Sequence, residues 1–195
     1  MAFYFGNLVK NQNLMKKIVY HIASSIDGYI ATPNGGVERF LMQGAHADEF
    51  QQSLNGYDTV LMGRKTYEFG FQYGIKPGEP AYPGLHHVIV SGTLQFDSNQ
   101  QVQLVNDQAV EYITHLKKQT GKSIWLCGGG HLAGLLAQHQ LIDEVILKVN
   151  PIVLGQGIPL FAGLSSPLTL QTAQHKQYKN GVLLLKYEVI KSIDS

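Results

Sequence analysis

Short apolar runs rich in β-branched residues recur along the chain at 17–23, 59–62, 87–90, 123–126, 144–149 and 182–189, and most stop at Gly, Asp or Asn. They are near-continuous rather than alternating, the pattern of strands covered on both faces. Helical spacing fills the intervals. Ala47, Phe50 and Leu54 line one face of 47–54. Ala109, Val110, Ile113 and Leu116–Lys117 do so in 107–119, with Asp107 as the expected N-cap. Leu132, Leu135 and Leu136 do so in 132–139. Strand–helix alternation through residue 149 predicts an α/β fold with a mainly parallel sheet. The closing runs, 168–178 and 182–189, have no helix between them and meet at Lys179, Asn180 and Gly181. Asn-Gly between β-rich runs signals a hairpin, so the sheet should be mixed, with an antiparallel pair at its C-terminal edge.

The length of 195 residues suits one domain able to bury such a sheet. We expect that domain at 16–191, with no linker or repeat inside it and its longest break at 74–84. Lys and Arg number 15 against 14 Asp and Glu, a net charge of +1, which argues against a nucleic-acid-binding surface. An apolar content of 44% with 15% charged residues argues against extended disorder. The single cysteine, Cys127, allows no internal disulfide and fits a reducing compartment. No apolar run reaches the ~18–20 residues of a membrane span. Residues 1–15 lack the apolar core and cleavage site of a signal peptide, and we expect a poorly ordered extension there, with Met15 an equally good start. The expected location is cytoplasmic.

Three segments carry chemistry. In SIWLCGGGHLA (123–133) a buried strand runs into three glycines and then a helix. Glycine admits close approach of a ligand, and a helix N-terminus offers free amides and partial positive charge, which together suit a phosphate. A tight strand–helix turn explains the same residues equally well. Gly128-x-Gly130-x-x-Ala133 meets the relaxed dinucleotide fingerprint. A Rossmann domain is disfavoured, because only 62 residues follow Ala133 and they end in a hairpin. In TVLMGRKTYE (59–68) another strand ends in glycine, and Arg64, Lys65 and Thr66 fall in the first helical turn. Two cations there oppose the helix dipole unless an anion is bound; an exposed basic turn is the plain alternative. Two such turns at strand C-termini suit the phosphates of NADP. In ASSIDGYIA (23–31) the first strand breaks into a glycine-rich loop, a candidate lid or a simple Asp27-Gly28 turn.

Together SSIDGYIA, VLMGRKTYE, VIVSGTL, WLCGGGHL and LIDEVILKVNPIVLGQGIPLF resemble, in order and spacing, the dihydrofolate-reductase-like superfamily. They most resemble the reductase domain of the bacterial riboflavin-biosynthesis enzyme, the RibD C-terminal domain, and its small stand-alone relatives. The resemblance implies a three-layer α/β/α domain around a mixed eight-stranded sheet, NADPH as hydride donor, and a homodimer. By matching motif, it implies that Ala23, Ile30 and Ala31 lie near the nicotinamide and that Gly63, Arg64, Lys65 and Thr66 hold phosphates. Arg64 or Lys65 would face the 2′-phosphate, and Ser91 the adenosine end. Gly128, Gly129, Gly130, His131 and Leu132 would hold the pyrophosphate side.

Substrate chemistry transfers less fully. Dihydrofolate reductases use a carboxylate on the first helix, and the nearest acids here are Asp48 and Glu49; Asp48 is the candidate catalytic residue. The tryptophan-proline stretch that precedes that helix in dihydrofolate reductases is absent, which weakens folate as substrate. The zinc-deaminase motifs H-x-E and P-C-x-x-C are also absent, so a bifunctional riboflavin enzyme is not expected, while a lone reductase domain remains open. His21, Asp27 and Cys127 are the substrate-side candidates. Eight histidines show no metal-ligand spacing, so no metal is expected. Cys127 has no paired base, and no G-x-S-x-G elbow is present. The reading is an NADPH-dependent reductase acting on a small, heterocyclic, pterin- or pyrimidine-like substrate. A non-catalytic nucleotide-binding or scaffold dimer of the same fold, and a phosphosugar-binding enzyme, are its alternatives.

Overall fold

A computed structural model describes residues 15–191. The extension expected at the N-terminus lies, but for Met15, outside the described residues. The strands are β1 (Ile18–Ser24), β2 (Tyr29–Ala31), β3 (Tyr57–Gly63), β4 (His86–Val90), β5 (Val102–Val105), β6 (Ser123–Gly128), β7 (Glu144–Val149), β8 (Ile158–Pro159), β9 (Leu170–Gln177) and β10 (Leu183–Val189). The α-helices are α1 (Ala45–Ser53), α2 (Arg64–Glu68), α3 (Ala109–Lys117) and α4 (Gly130–Gln138).

Eight strands form one sheet in the order β5-β4-β3-β6-β1-β7-β10-β9, while β2 and β8 form a separate antiparallel pair. The strands from β5 to β7 run parallel, and β10 and β9 close the sheet antiparallel. The sheet is mixed and mainly parallel with a C-terminal antiparallel hairpin, as the sequence predicts. Tyr178 N–H donates to Val182 O at 2.9 Å across that hairpin.

The near-continuous runs of β1, β3, β4 and β6 are buried on both faces, whereas the run at 182–189, which forms β10 beside the sheet edge, is only half-buried and exposes Leu183. Ile18 and Tyr20 of β1, Leu61 of β3 and Ile124 and Leu126 of β6 point to one core, with Ile113 of α3 and Leu136 of α4. Val19, Val60, Met62 and Trp125 point to the other, where Phe50 of α1 and Tyr67 of α2 pack. This alternation makes the three layers. Glycine sets how closely α4 approaches its neighbours: a Cβ at Gly130 would lie 2.1 Å from Pro159 O, and one at Gly134 2.1 Å from Ala162 O.

Two local expectations are corrected. The cap position of α3 belongs to Gln108, not Asp107, because Tyr112 N–H bonds Gln108 O at 2.9 Å, and no side chain caps the helix. The edge strand β5 and the β2–β8 pair were not foreseen. Both are short, and β2 lies inside what reads as loop.

Candidate functional site

Residues at the carboxyl ends of β1, β3 and β6 open into a cleft of 1610 Å³, walled by α1, the 33–42 loop and the β7–β10–β9 part of the sheet. Open α/β sheets gather ligands at this end. His21, Ala23, Ile30, Ala31, Gly63, Arg64, Lys65, Thr66, Cys127, Gly128, Gly129, Gly130, His131 and Leu132 all line it. Residues named from four separate stretches of the chain thus share one space.

At one end the two βα turns meet. A Cβ added to Gly63 would lie 3.5 Å from Gly129 N, and one on Gly129 3.3 Å from Thr66 Oγ1. Gly128 has φ +137, a conformation that side chains rarely adopt. No side chain caps α4, so its first-turn amides are free for a ligand. Amides, the Thr66 hydroxyl and the two basic residues Arg64 and Lys65 suit a phosphate-bearing group, and only glycine leaves the room. Arg64 also forms an i,i+4 ion pair with Glu68 at 3.0 Å, which offsets its opposition to the helix dipole.

The other end is aromatic. Trp125 packs edge-on against Phe50 (5.4 Å) and Tyr82 (4.8 Å), and Phe50 against His21 (5.0 Å). Trp125 Nε1 donates to His21 O at 2.9 Å, which fixes the indole against β1. Burial, together with the charges of Lys148 and Lys186, lowers His21 to about 4. His21 is therefore neutral at pH 7, with Nδ1 3.4 Å from the Tyr57 hydroxyl. Burial pushes the Cys127 thiol up to about 12, which suppresses thiolate chemistry.

Three named residues lie elsewhere. Asp27 accepts backbone N–H bonds from Leu154 (3.1 Å) and Gly155 (2.7 Å). Ser25 and those amides hold its carboxyl down at about 2, so it fastens two loops together. Ser91 Oγ accepts from Thr93 and Leu94 N–H at 3.2 and 2.9 Å and borders a separate hollow of 350 Å³. Asp48 sits in the first turn of α1 and does not border the cleft, whereas Glu49 does. Around the helix Asp48 lies about 160° from Phe50, on the face turned away from the sheet. Glu49 instead accepts from Tyr178 Oη at 2.7 Å and Lys176 Nζ at 2.5 Å. Those two bonds hold its carboxyl below the usual range, with Lys176 the larger cause.

Sequence reasoning did not single out Glu49 over its neighbour, nor Phe50, Trp125, Lys148, Lys176, Tyr178 and Lys186 as cleft residues. A helical wheel centred on Phe50 would have separated Asp48 from Glu49. The lysines carried no signal, because their meeting depends on which strands are neighbours. Among the described residues no group of three His, Cys, Asp or Glu side chains is placed to hold a metal, and no helix is long and apolar enough to cross a membrane.

Comparison with known proteins agrees with this architecture. The uncharacterized protein YyaP of Bacillus subtilis (strain 168) is 31% identical over 184 residues, covering 91% of this chain and 97% of its own length. The crystal structure of a putative riboflavin biosynthesis protein from Shewanella sp. PV-4 superposes with a TM-score of 0.74 at 25% identity, covering 91% of this chain and 100% of that one. A dihydrofolate reductase from Enterococcus faecalis, complexed with NADP(H) and RAB-propyl, shares the fold at TM-score 0.64 and 13% identity, covering 90% and 97%. The family model described as RibD C-terminal domain matches residues 16–184, so the chain belongs to the RibD C-terminal domain family, within a dihydrofolate-reductase-like fold.

Proposed function

We propose that this protein is an NADPH-dependent reductase that transfers a hydride to a C=N or C=O bond of a small heterocyclic substrate. One observation carries the reading: a single cleft joins two glycine-lined βα turns, rich in amides and cations, to an aromatic recess. The first end suits phosphates and the second a flat ring. Membership of a reductase-type family supports it.

Gly63, Thr66 and the first turn of α4 would hold the pyrophosphate, with Arg64 or Lys65 at the 2′-phosphate. Ala23, Ile30 and Ala31 would border the nicotinamide, which supplies the hydride when bound. Ala23 follows His21 by two residues on β1, so both side chains face the cleft, about 7 Å apart along the strand. A ring held at His21 and Phe50 would then lie beside the nicotinamide. Trp125, Tyr82 and Phe50 exclude water there. A homodimer and a cytoplasmic location belong to the same reading.

The test is cofactor discrimination. Arg64→Ala should weaken NADPH binding about tenfold or more while leaving NADH nearly unchanged, measured by nicotinamide fluorescence. An unchanged preference in Arg64→Ala, with the same result for Lys65→Ala, would remove both side chains from the 2′-phosphate.

A further inference from the structure

One buried side chain keeps a polar atom free for the cleft. His21 is only 7% exposed and borders the cleft from β1. Its Nδ1 lies 3.4 Å from the Tyr57 hydroxyl. Its Nε2 has no hydrogen-bond partner among the described residues, yet no buried side-chain nitrogen or oxygen among them is left without one. Nε2 is therefore the accessible corner of the ring, and it opens into the cleft. The rest of the residue is held in place: Phe50 meets the ring edge-on at 5.0 Å, and Trp125 Nε1 donates to the His21 carbonyl at 2.9 Å.

Tyr57 decides which ring nitrogen carries the proton. It stands at the start of β3, buried and outside the cleft, with its ring stacked on Trp125 at 6.2 Å. Burial and the charge of Glu144 push its hydroxyl up to about 12, so the phenol keeps its proton. That proton has one acceptor among the described residues, His21 Nδ1. Were Nδ1 to carry the hydrogen and donate it instead, the phenolic O–H would be buried without an acceptor, which is the costlier arrangement. A neutral imidazole carries one hydrogen, so a bare Nδ1 means an Nε2–H. Burial, with the charges of Lys148 and Lys186, keeps the ring neutral at pH 7. Hydrogen bonds in catalytic centres are often long before substrate arrives, as the 3.4 Å contact is here.

We propose that Tyr57 is a positioning residue that holds His21 in the Nε2–H tautomer, so that His21 donates a hydrogen bond from a neutral ring to the heteroatom of the double bond being reduced. The tautomer stands on geometry alone; the reaction rests on the reductase reading. As a hydride reaches the carbon, the π pair moves onto the heteroatom, and the Nε2–H stabilises the charge that develops there. The imidazole keeps its own proton, because an imidazolate is too basic to form, and water supplies the proton that completes the reduced group. The same donor selects between ligands: an acceptor facing β1 pairs with it, whereas an N–H or an apolar edge leaves it unpaired.

Nitrogen-15 labelling of the histidines reads the tautomer by magnetic resonance, without cofactor or substrate. Of the eight histidines, His21 is assigned by the signal lost in His21→Gln. The wild type should show the neutral Nε2–H form at pH 7. Tyr57→Phe keeps its ring against Trp125 and should leave the two tautomers mixed. Isoquinoline, a flat acceptor that is uncharged in mildly alkaline solution, should shift the His21 Nε2 signal. It should bind about fivefold more weakly to His21→Leu, with binding restored in His21→Gln, whose side-chain amide can donate from a similar place. An Nδ1–H tautomer or an imidazolium in the wild type at pH 7, an unchanged tautomer in Tyr57→Phe, or no isoquinoline shift at millimolar concentration overturns the proposal. The wild-type spectrum decides even if Tyr57→Phe fails to fold. NADPH titrated into the same samples separates the two readings. If it binds and the tautomer is the other one, this proposal falls and the reductase reading stands; if it does not bind, the catalytic role of His21 falls with that reading.

Discussion

At the scale of single residues, position on the helix decides between two adjacent acids. Asp48 and Glu49 are chemically alike, but only Glu49 borders the cleft, tied to Lys176 and Tyr178. Its lowered pKa keeps it ionised at neutral pH, so it accepts hydrogen bonds there and releases that role only as the solution becomes more acidic than the usual glutamate range. Tyr178, raised to about 12 by burial and by Glu49, stays protonated beside it. We expect Asp48→Asn to leave the pH profile of turnover unchanged and Glu49→Gln to move its acidic limb, with kcat/KM measured across pH on any substrate that is turned over. A profile that moves with Asp48 and ignores Glu49 would reverse the assignment. His21 shows the same dependence on surroundings: its type was readable from the sequence, but its neutrality arises from burial and from two lysines of other strands.

At the scale of elements, the strands and their order of chemistry were legible because fully buried parallel strands leave continuous β-branched runs, and Asn180-Gly181 announces its hairpin. The turns carrying Gly63 and Gly128–Gly130 were legible because glycine has few other uses directly after a buried strand. The short strands β2, β5 and β8 were not, since two to four residues carry too little periodicity. The glycines at the junction of β6 and α4 and within α4 divide by task in a way the sequence does not reveal. Gly128 answers a backbone requirement, while Gly130 and Gly134 admit the 159–162 backbone. Gly134→Val should therefore lower stability by about 1–3 kcal/mol or more, through overpacking against Ala162 O, despite valine's better helix propensity. A denaturant midpoint equal to that of the wild type would show that the 159–162 segment yields instead.

At the scale of the whole molecule, one sheet floors the cleft from end to end, with α1 and the 33–42 loop as its walls. Its parallel half places two glycine-bearing turns side by side on β3 and β6, while its antiparallel half brings Lys186 and Lys176 to the cleft, where Lys176 pairs with Glu49 of α1. The glycine-turn half of the cleft is local in sequence, each turn following its own strand, and so its residues could be brought together from motifs. The aromatic and lysine half is assembled across 165 positions, from His21 to Lys186, and no motif spans that distance. The most direct measurement of the account is energy transfer from Trp125, the only tryptophan, to reduced nicotinamide during titration with NADPH and with NADH. The account predicts sensitised nicotinamide emission that saturates, requires clearly less NADPH than NADH, and disappears in Trp125→Phe although NADPH still binds that variant. No saturable emission with either cofactor at millimolar concentration would contradict it and leave the glycine turns to a different phosphate ligand.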